Sequence, residues 1–221
     1  MNILAIDSST EACSAALLRE DGEVFARFEI APRQHTRLLP QMMNQVLSES
    51  GVEKSLLTHC AFANGPGAFT GIRIAAAQAQ GIGIGLGIPL LPVSTLATLA
   101  QVSLDRYAYA NTLVALDARM NEIYWAVYRR DEQGCAQLLG SERLSALDDI
   151  RIDADLESGA GHGWLAELRT RVELPIDSEL LPDARSLLKL AAAAADRNLC
   201  VEASAVGINY LRNRVAEKAR A

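Results

Sequence analysis

The chain is short of the residues that most often carry chemistry in small enzymes. Only three histidines, His35, His59 and His162, stand among 221 residues, and they form neither HxxxH nor HExxH. No metal site and no catalytic residue is expected from them. The four cysteines, Cys13, Cys60, Cys135 and Cys200, are far apart and make no CxxC pair. That excludes a zinc knuckle and a disulfide framework, and fits the reduced thiols of a cytoplasmic protein. Basic residues are outnumbered, 21 against 27 acidic, for a formal charge of −6. A surface built to coat nucleic acid is therefore excluded, and any RNA would be met locally or through a partner. The opening MNILAIDSST lacks a basic region before its apolar run and meets Asp7 early, so no export signal is expected. Charge is absent altogether from Ile74 to Leu104, a length that could span a bilayer. Gln78, Gln80 and Gln101, with Pro89 and Pro92 in the middle, predict instead a buried helix, a break, a short strand and a second helix, with no membrane insertion.

Half of the residues are hydrophobic, enough for a full core in one or two domains. An apolar run from Ile3 to Ile6 stops at Asp7, and the segments Cys13 to Leu18 and Val24 to Ile30 flank the turn Asp21-Gly22. This predicts a strand followed by a hairpin. Residues 36–50 carry Leu38, Leu39, Met42, Met43, Val46 and Leu47 at helical spacing before Gly51, which predicts an amphipathic helix with a glycine end. A strand near Cys60 leads to Asn64-Gly65-Pro66-Gly67-Ala68-Phe69, with Thr70 expected to cap the next helix. The pattern then recurs. Leu113-Val114-Ala115-Leu116-Asp117 echoes Ile3 to Asp7, and a second strand from Trp125 to Arg129 turns at Asp131 to Gly134 as the first half turns at Asp21-Gly22. Two related α/β lobes are expected, residues 1–107 and 108–221.

Several positions are candidates for function. Asp7, followed by Ser8, Ser9 and Thr10, and Asp117 in the matching place offer a carboxylate at a strand end, which suits phosphate and Mg²⁺ across a cleft and equally suits a plain strand terminator. Gly65 and Gly67 open a helix whose free N–H groups can meet an anion, but no Gly-Lys-Ser/Thr follows, so this is not a Walker A loop. Gly71, Ala75, Ala79, Gly83 and Gly87 recur every fourth residue, a small-residue stripe that admits close helix packing within the chain or with a partner. Ser158-Gly159-Ala160-Gly161-His162-Gly163, after a short strand, resembles a dinucleotide loop with the wrong glycine spacing for GxGxxG and is a hint of nucleotide binding. Asp148, Asp149, Asp153, Asp155 and Glu157 read as a solvated face, and Arg212, Arg214, Lys218 and Arg220 as a basic surface tail.

Ile3 to Thr10 together with Gly65-Pro66-Gly67-Ala68-Phe69-Thr70-Gly71-Ile72-Arg73 resembles the bacterial TsaB family, also called YeaZ. The likeness is strongest over residues 1–130, including Asp117-Ala118-Arg119 and Glu122-Ile123-Tyr124, and returns at Tyr210-Leu211-Arg212. The resemblance implies a two-lobed fold of the actin and sugar-kinase type (ASKHA, ribonuclease H-like) with a duplicated mixed-sheet lobe. It implies a part in making threonylcarbamoyladenosine beside the anticodon of tRNAs that read codons starting with A. It further implies TsaD and TsaE as partners, a homodimer when alone, tRNA met only through the complex, and no required cofactor, with ATP or ADP at a partner interface as an open expectation. The catalytic paralogue TsaD carries a metal-binding HxxxH, and the alignment places Thr95 and Leu99 of this chain at those histidines. Neither a leucine nor a lone threonine hydroxyl replaces an imidazole pair, so a non-catalytic subunit is expected.

The expected contact surface is formed by the two helices of the first lobe, through Leu39, Met42, Met43, Val46, Gly71, Ala75, Ala79 and Gly83. On that basis Ala79→Trp is expected to break association and leave the chain folded. Two other classes stay open at this point: a nucleotide hydrolase or kinase using Asp7 and Asp117, with Ser8, Ser9, Gly65 and Gly67 around the phosphates, and a glycoprotease-type peptidase.

Overall fold

Two five-stranded mixed sheets are built in succession along the chain, and each has the same strand order. The computed structural model describes residues 1–151 and 155–212. In the first sheet, β1 (Ile3–Asp7), β2 (Ala12–Leu18) and β3 (Val24–Ile30) form an antiparallel meander. Parallel to β1 lie β4 (His59–Ala63) and then β5 (Leu90–Val93), giving the order β3-β2-β1-β4-β5. In the second sheet, β6 (Asn111–Arg119), β7 (Glu122–Arg130) and β8 (Ala136–Ala146) repeat the meander. The two-residue strands β9 (Gly159–Ala160) and β10 (Ile176–Asp177) add in parallel beside β6, so the order is β8-β7-β6-β9-β10. The duplication expected from Asp7 and Asp117 is thus a duplication of topology, in which β1 and β6 are the equivalent central strands. Every residue of β1 is buried, which is why it reads as an unbroken apolar run rather than an alternation.

Helices α1 (His35–Ser50) and α2 (Phe69–Leu86) cover one face of the first sheet. Gly51 closes α1 in the left-handed conformation, φ 68°, as its place in the sequence predicts. The start of α2 differs from expectation: Ala68 occupies the cap position without a side-chain bond, and Thr70 lies inside the helix. The uncharged stretch resolves into α2, the break at Gly87, β5, and α3 (Thr95–Tyr107), capped by Ser94 Oγ accepting from the Leu96 and Ala97 N–H groups. Among the described residues no helix is long and apolar enough to cross a membrane.

Two of the other three faces are covered by exchange. From the first half of the chain, α3 packs Leu96, Leu99 and Ala100 against Val114 and Leu116 of the second sheet. From the second half, α5 (Ala184–Asp196) packs Ala184, Leu187, Leu188 and Ala191 against Ile3, Ala5, Ala61 and Leu91 of the first sheet. The second lobe has no counterpart as long as α1 or α2 among the described residues. Between β9 and β10 lies only the single turn α4 (Ala166–Arg169), and Trp125 and Trp164 fill that face with Leu147, Ile150 and Leu168.

Candidate functional site at the interlobe cleft

The carboxyl ends of β1 and β6 meet at the cleft between lobes, and the turns after them differ in how open they are. Asp7 is buried, 2% exposed, and its Oδ1 accepts from the Ser9 N–H at 2.7 Å and the Ser9 Oγ at 2.6 Å. Ser8 Oγ donates to Gly71 O at 2.8 Å, and Ser9 O accepts from the Ala68 N–H. The hydroxyls of Ser8 and Ser9 are therefore engaged within the chain rather than offered to a phosphate. Burial pushes the Asp7 carboxyl up to about 6, against the lowering effect of the two Ser9 bonds, with a further push from the nearby Asp183 carboxylate. Its Oδ2 is buried without a partner among the described residues, as are Asn64 Oδ1 after β4 and Thr95 Oγ1 after β5. Three unpartnered buried oxygens thus fall at the same end of the first sheet.

Gly65 and Gly67 serve close packing. Gly65 adopts φ 101°, and a Cβ there would stand 2.9 Å from Asn209 O. A Cβ at Gly67 would stand 2.4 Å from Ser9 O. The space that the absent side chains of Gly65 and Gly67 leave is taken up by Asn209 O and Ser9 O of the chain itself.

Asp117 is held by its neighbours. Its N–H donates to His162 Nδ1 at 3.0 Å, and its carboxylate accepts from the Arg119 N–H at 2.7 Å and Arg119 Nη1 at 3.0 Å. The bond at Nδ1 leaves the ring proton of neutral His162 at Nε2, which faces Glu11 Oε2 of the first lobe at 3.8 Å. His162 therefore spans the two lobes. Its segment, a nucleotide hint in the sequence, is the second lobe's equivalent of Gly65-Pro66-Gly67: Gly161 follows β9 as Gly65 follows β4, with φ 97°, and a Cβ at Gly163 would stand 2.5 Å from Leu116 N. The signal present in the sequence was Gly-x-Gly after the fourth strand of each half.

The structure corrects the expected partner surface. Leu39, Met42, Met43, Val46, Ala75 and Ala79 belong to the core between the two helices and the first sheet, and Gly71 and Gly83 are buried as well. An amphipathic helix turns its apolar stripe to its own sheet first. The glycines of that stripe admit the chain: a Cβ at Gly71 would stand 1.9 Å from Ser8 O, and one at Gly83 2.9 Å from side chains of Leu90 and Ala203. Ala79→Trp would overfill a core and unfold the chain rather than test association. Facing outward on α2 is a second small-residue row, Ala77, Gly81 and Gly85, flanked by the exposed Ile84. Nothing lies within 4 Å of a Cβ built at Gly81 or Gly85. With Lys54, Gln78 and Ile82 this row lines a shallow surface groove.

The positions aligned with the paralogue's histidines are also defined. Thr95 is buried at the first turn of α3, and Leu99 is buried in the second-lobe core against Gly161. Among the described residues no three His, Cys, Asp or Glu side chains gather as a metal site. Arg212, read as surface tail, is instead structural: it donates to Ala118 O at 2.9 Å and pairs with Glu122 at 2.6 Å. Asp148, Asp149, Asp155 and Glu157 are exposed as expected, while Asp153, Arg214, Lys218 and Arg220 lie outside the described residues.

Comparison with known proteins places this geometry in a family. The family model described as TsaD, tRNA N6-adenosine threonylcarbamoyltransferase, matches residues 28–152. The tRNA threonylcarbamoyladenosine biosynthesis protein TsaB of Escherichia coli (strain K12) is 39% identical over 226 residues, covering 99% of this chain and 97% of that protein. TsaB of Haemophilus influenzae is 33% identical and covers 99% and 96%. The solved structure of YeaZ from Pseudomonas aeruginosa superposes with a TM-score of 0.88 at 40% identity, over 95% of this chain and 100% of that one. With duplicated lobes of the actin-like α/β type and relatives matched end to end, the chain belongs to the TsaB family of tRNA threonylcarbamoyladenosine biosynthesis proteins.

Proposed function

We propose that this chain is an accessory, non-catalytic subunit that binds TsaD and supports its transfer of the threonylcarbamoyl group to the adenosine beside the anticodon of tRNAs reading A-starting codons. The observation that carries the reading is the outward face of α2, where Ala77, Gly81 and Gly85 form a flat, open row beside the exposed Ile84. A row without side chains lets a partner helix approach closely, and burying Ile84 there removes apolar surface from water. The same face serves TsaD or a second copy of this chain, so the two pairings exclude one another. The absence of catalysis is supported by Thr95 and Leu99, which supply one hydroxyl and one apolar side chain where the paralogue has a histidine pair. TsaE and tRNA are met through the assembled complex, in the cytoplasm, and no cofactor is required by this chain.

The test is threonylcarbamoyladenosine formation on a cognate tRNA with the carbamoyl-adenylate synthase, TsaD and TsaE, with and without this protein. Dependence on the chain that survives Asp7→Ala supports the reading; full activity in its absence defeats it. A second reading, an actin-like ATPase using Asp7 and Asp117, is favoured by the unpartnered buried Asp7 Oδ2. ATP turnover by the isolated chain that disappears in Asp7→Ala would establish it. Among the described residues no metal-binding cluster favours the metal-dependent peptidase reading.

A further inference from the structure

The outer strand of the first sheet, β3, carries apolar side chains along its edge. Val24, Phe28 and Ile30 are 47%, 39% and 61% exposed. Alternation sets them on one face of the strand, the face on which Ala26 packs toward α5. The ladder from β2 to β3 is regular from Val24 to Ile30, and β3 contains no proline. The outer strand of the second sheet differs, because a register shift interrupts its ladder. Such irregularities blunt an edge against pairing, and the edge of β3 lacks them.

The backbone bonds decide which groups this edge offers. At the two ends of the ladder Arg19 N–H donates to Glu23 O and Ala31 N–H donates to Glu11 O, so the odd-numbered residues turn their backbone groups to β2. The N–H and C=O groups of Val24, Ala26, Phe28 and Ile30 then point away from the sheet. Ala26 O is covered there by Arg27 Nη1 at 2.7 Å. Arg27 and Glu29 are exposed on the other face of the strand, where Arg27 pairs with Glu49.

We propose that β3 pairs antiparallel with β3 of a second copy of this chain, with Phe28 on the two-fold axis. In that register Arg27 lies opposite the partner's Glu29, at a pair without mutual backbone bonds, where side chains approach most closely. Phe28 meets its own copy, and Ile30 lies over the small Ala26. Neighbouring registers are worse. An axis at Arg27 or at Glu29 sets each of those charges against itself, and an axis at Ala26 sets Glu29 against the partner's Glu23. An axis at Ile30 brings the outward groups of Phe28 to the partner's Pro32, which has no N–H to donate. Pairing transfers Ala26 O to the N–H of the partner's Ile30 and releases Arg27 to the partner's Glu29. Two five-stranded sheets become one continuous sheet. Helix α1 packs on β2 and β3 whereas α2 packs on β4, so this edge is apart from the α2 row and the two can be used together.

Sedimentation equilibrium of the full chain over a range of concentrations, with and without Ala77→Trp to close the α2 face, reads the pairing. A dimer that persists in Ala77→Trp is expected. Arg27→Glu and Glu29→Arg each put like charges opposite one another at two places, and each should weaken that dimer about tenfold or more. An equimolar mixture of the two variants restores opposite charges at both places and should recover it, which loss of folding could not do. Phe28→Cys gives a second reading. The Cα atoms of a bonded antiparallel pair stand about 5.5 Å apart, within disulfide reach, so mild oxidation should link two Phe28→Cys chains and leave Ala26→Cys and unaltered chains unlinked. A monomer at every concentration in Ala77→Trp overturns the proposal. A dimer lost in Ala77→Trp and unchanged in both charge variants overturns it as well and leaves the α2 reading standing.

Discussion

Asp7 shows how a single buried residue makes stability depend on pH. Its folded carboxyl titrates near 6, above the ordinary 3.8, because burial disfavours the charged form. The native state then holds a proton that the unfolded chain releases, so the stabilising contribution is complete below about pH 4 and is lost as pH rises through 6. The loss amounts to about 3 kcal/mol. Urea melts between pH 4.5 and 7.5 should show stability declining across this window, and in Asp7→Asn the decline should flatten. Glycines supply a second contrast at this scale. Gly71→Ala would push a Cβ to within 1.9 Å of Ser8 O, a backbone atom that cannot move aside, and should cost about 3 kcal/mol. Gly81→Ala, with open space around it in the middle of α2, should gain about 1 kcal/mol in the same melts. The two glycines look alike in a four-residue repeat, and only their neighbours separate them.

Among the elements, α1 and α2 were legible because their apolar positions follow helical spacing, and the ends at Gly51 and Gly87 follow from left-handed caps. Their direction was not legible. A stripe of Leu39, Met42, Ala75 and Ala79 has the same spacing whether it faces a sheet or a partner, and here it faces the sheet. The strands β9 and β10 have two residues each, too few for any alternation to register, which is why the second lobe reads more loosely than the first. The exchange of α3 and α5 between lobes likewise leaves no mark on local pattern. It makes the first sheet dependent on the far end of the chain: Leu187→Ala, in the centre of the α5 contact, should cost about 2 to 5 kcal/mol in urea unfolding. Amide protection should fall in β1 and β4, more than one hundred residues away in sequence.

For the whole molecule the exchange means that the two lobes cannot separate without uncovering a core face on each. The cleft mouth is tied further by the segment around Asn209, bonded to Asn64 and Glu142, and there His162 Nε2 stands 3.8 Å from Glu11 Oε2. A body held in this way is suited to presenting fixed surfaces to partners. Ala77→Trp should therefore abolish association with TsaD, measured by size-exclusion chromatography, with an unchanged melting temperature, because the position is exposed.

The sequence by itself determined the duplicated α/β lobes, the family, the helices of the first lobe and the lack of a histidine pair, since each of these resides in residue identity or short-range period. Tertiary structure decided which side of α1 and α2 is free, that Ser8 and Ser9 are engaged by Asp7 and Gly71, that His162 and Asn209 reach across the lobes, and that Met120 projects from a left-handed turn. Those are contacts between residues up to 151 positions apart, Glu11 to His162 being the longest of the cleft ties. Periodicity records how a segment divides its surface between core and exterior, and it carries no record of which distant segment fills the space opposite.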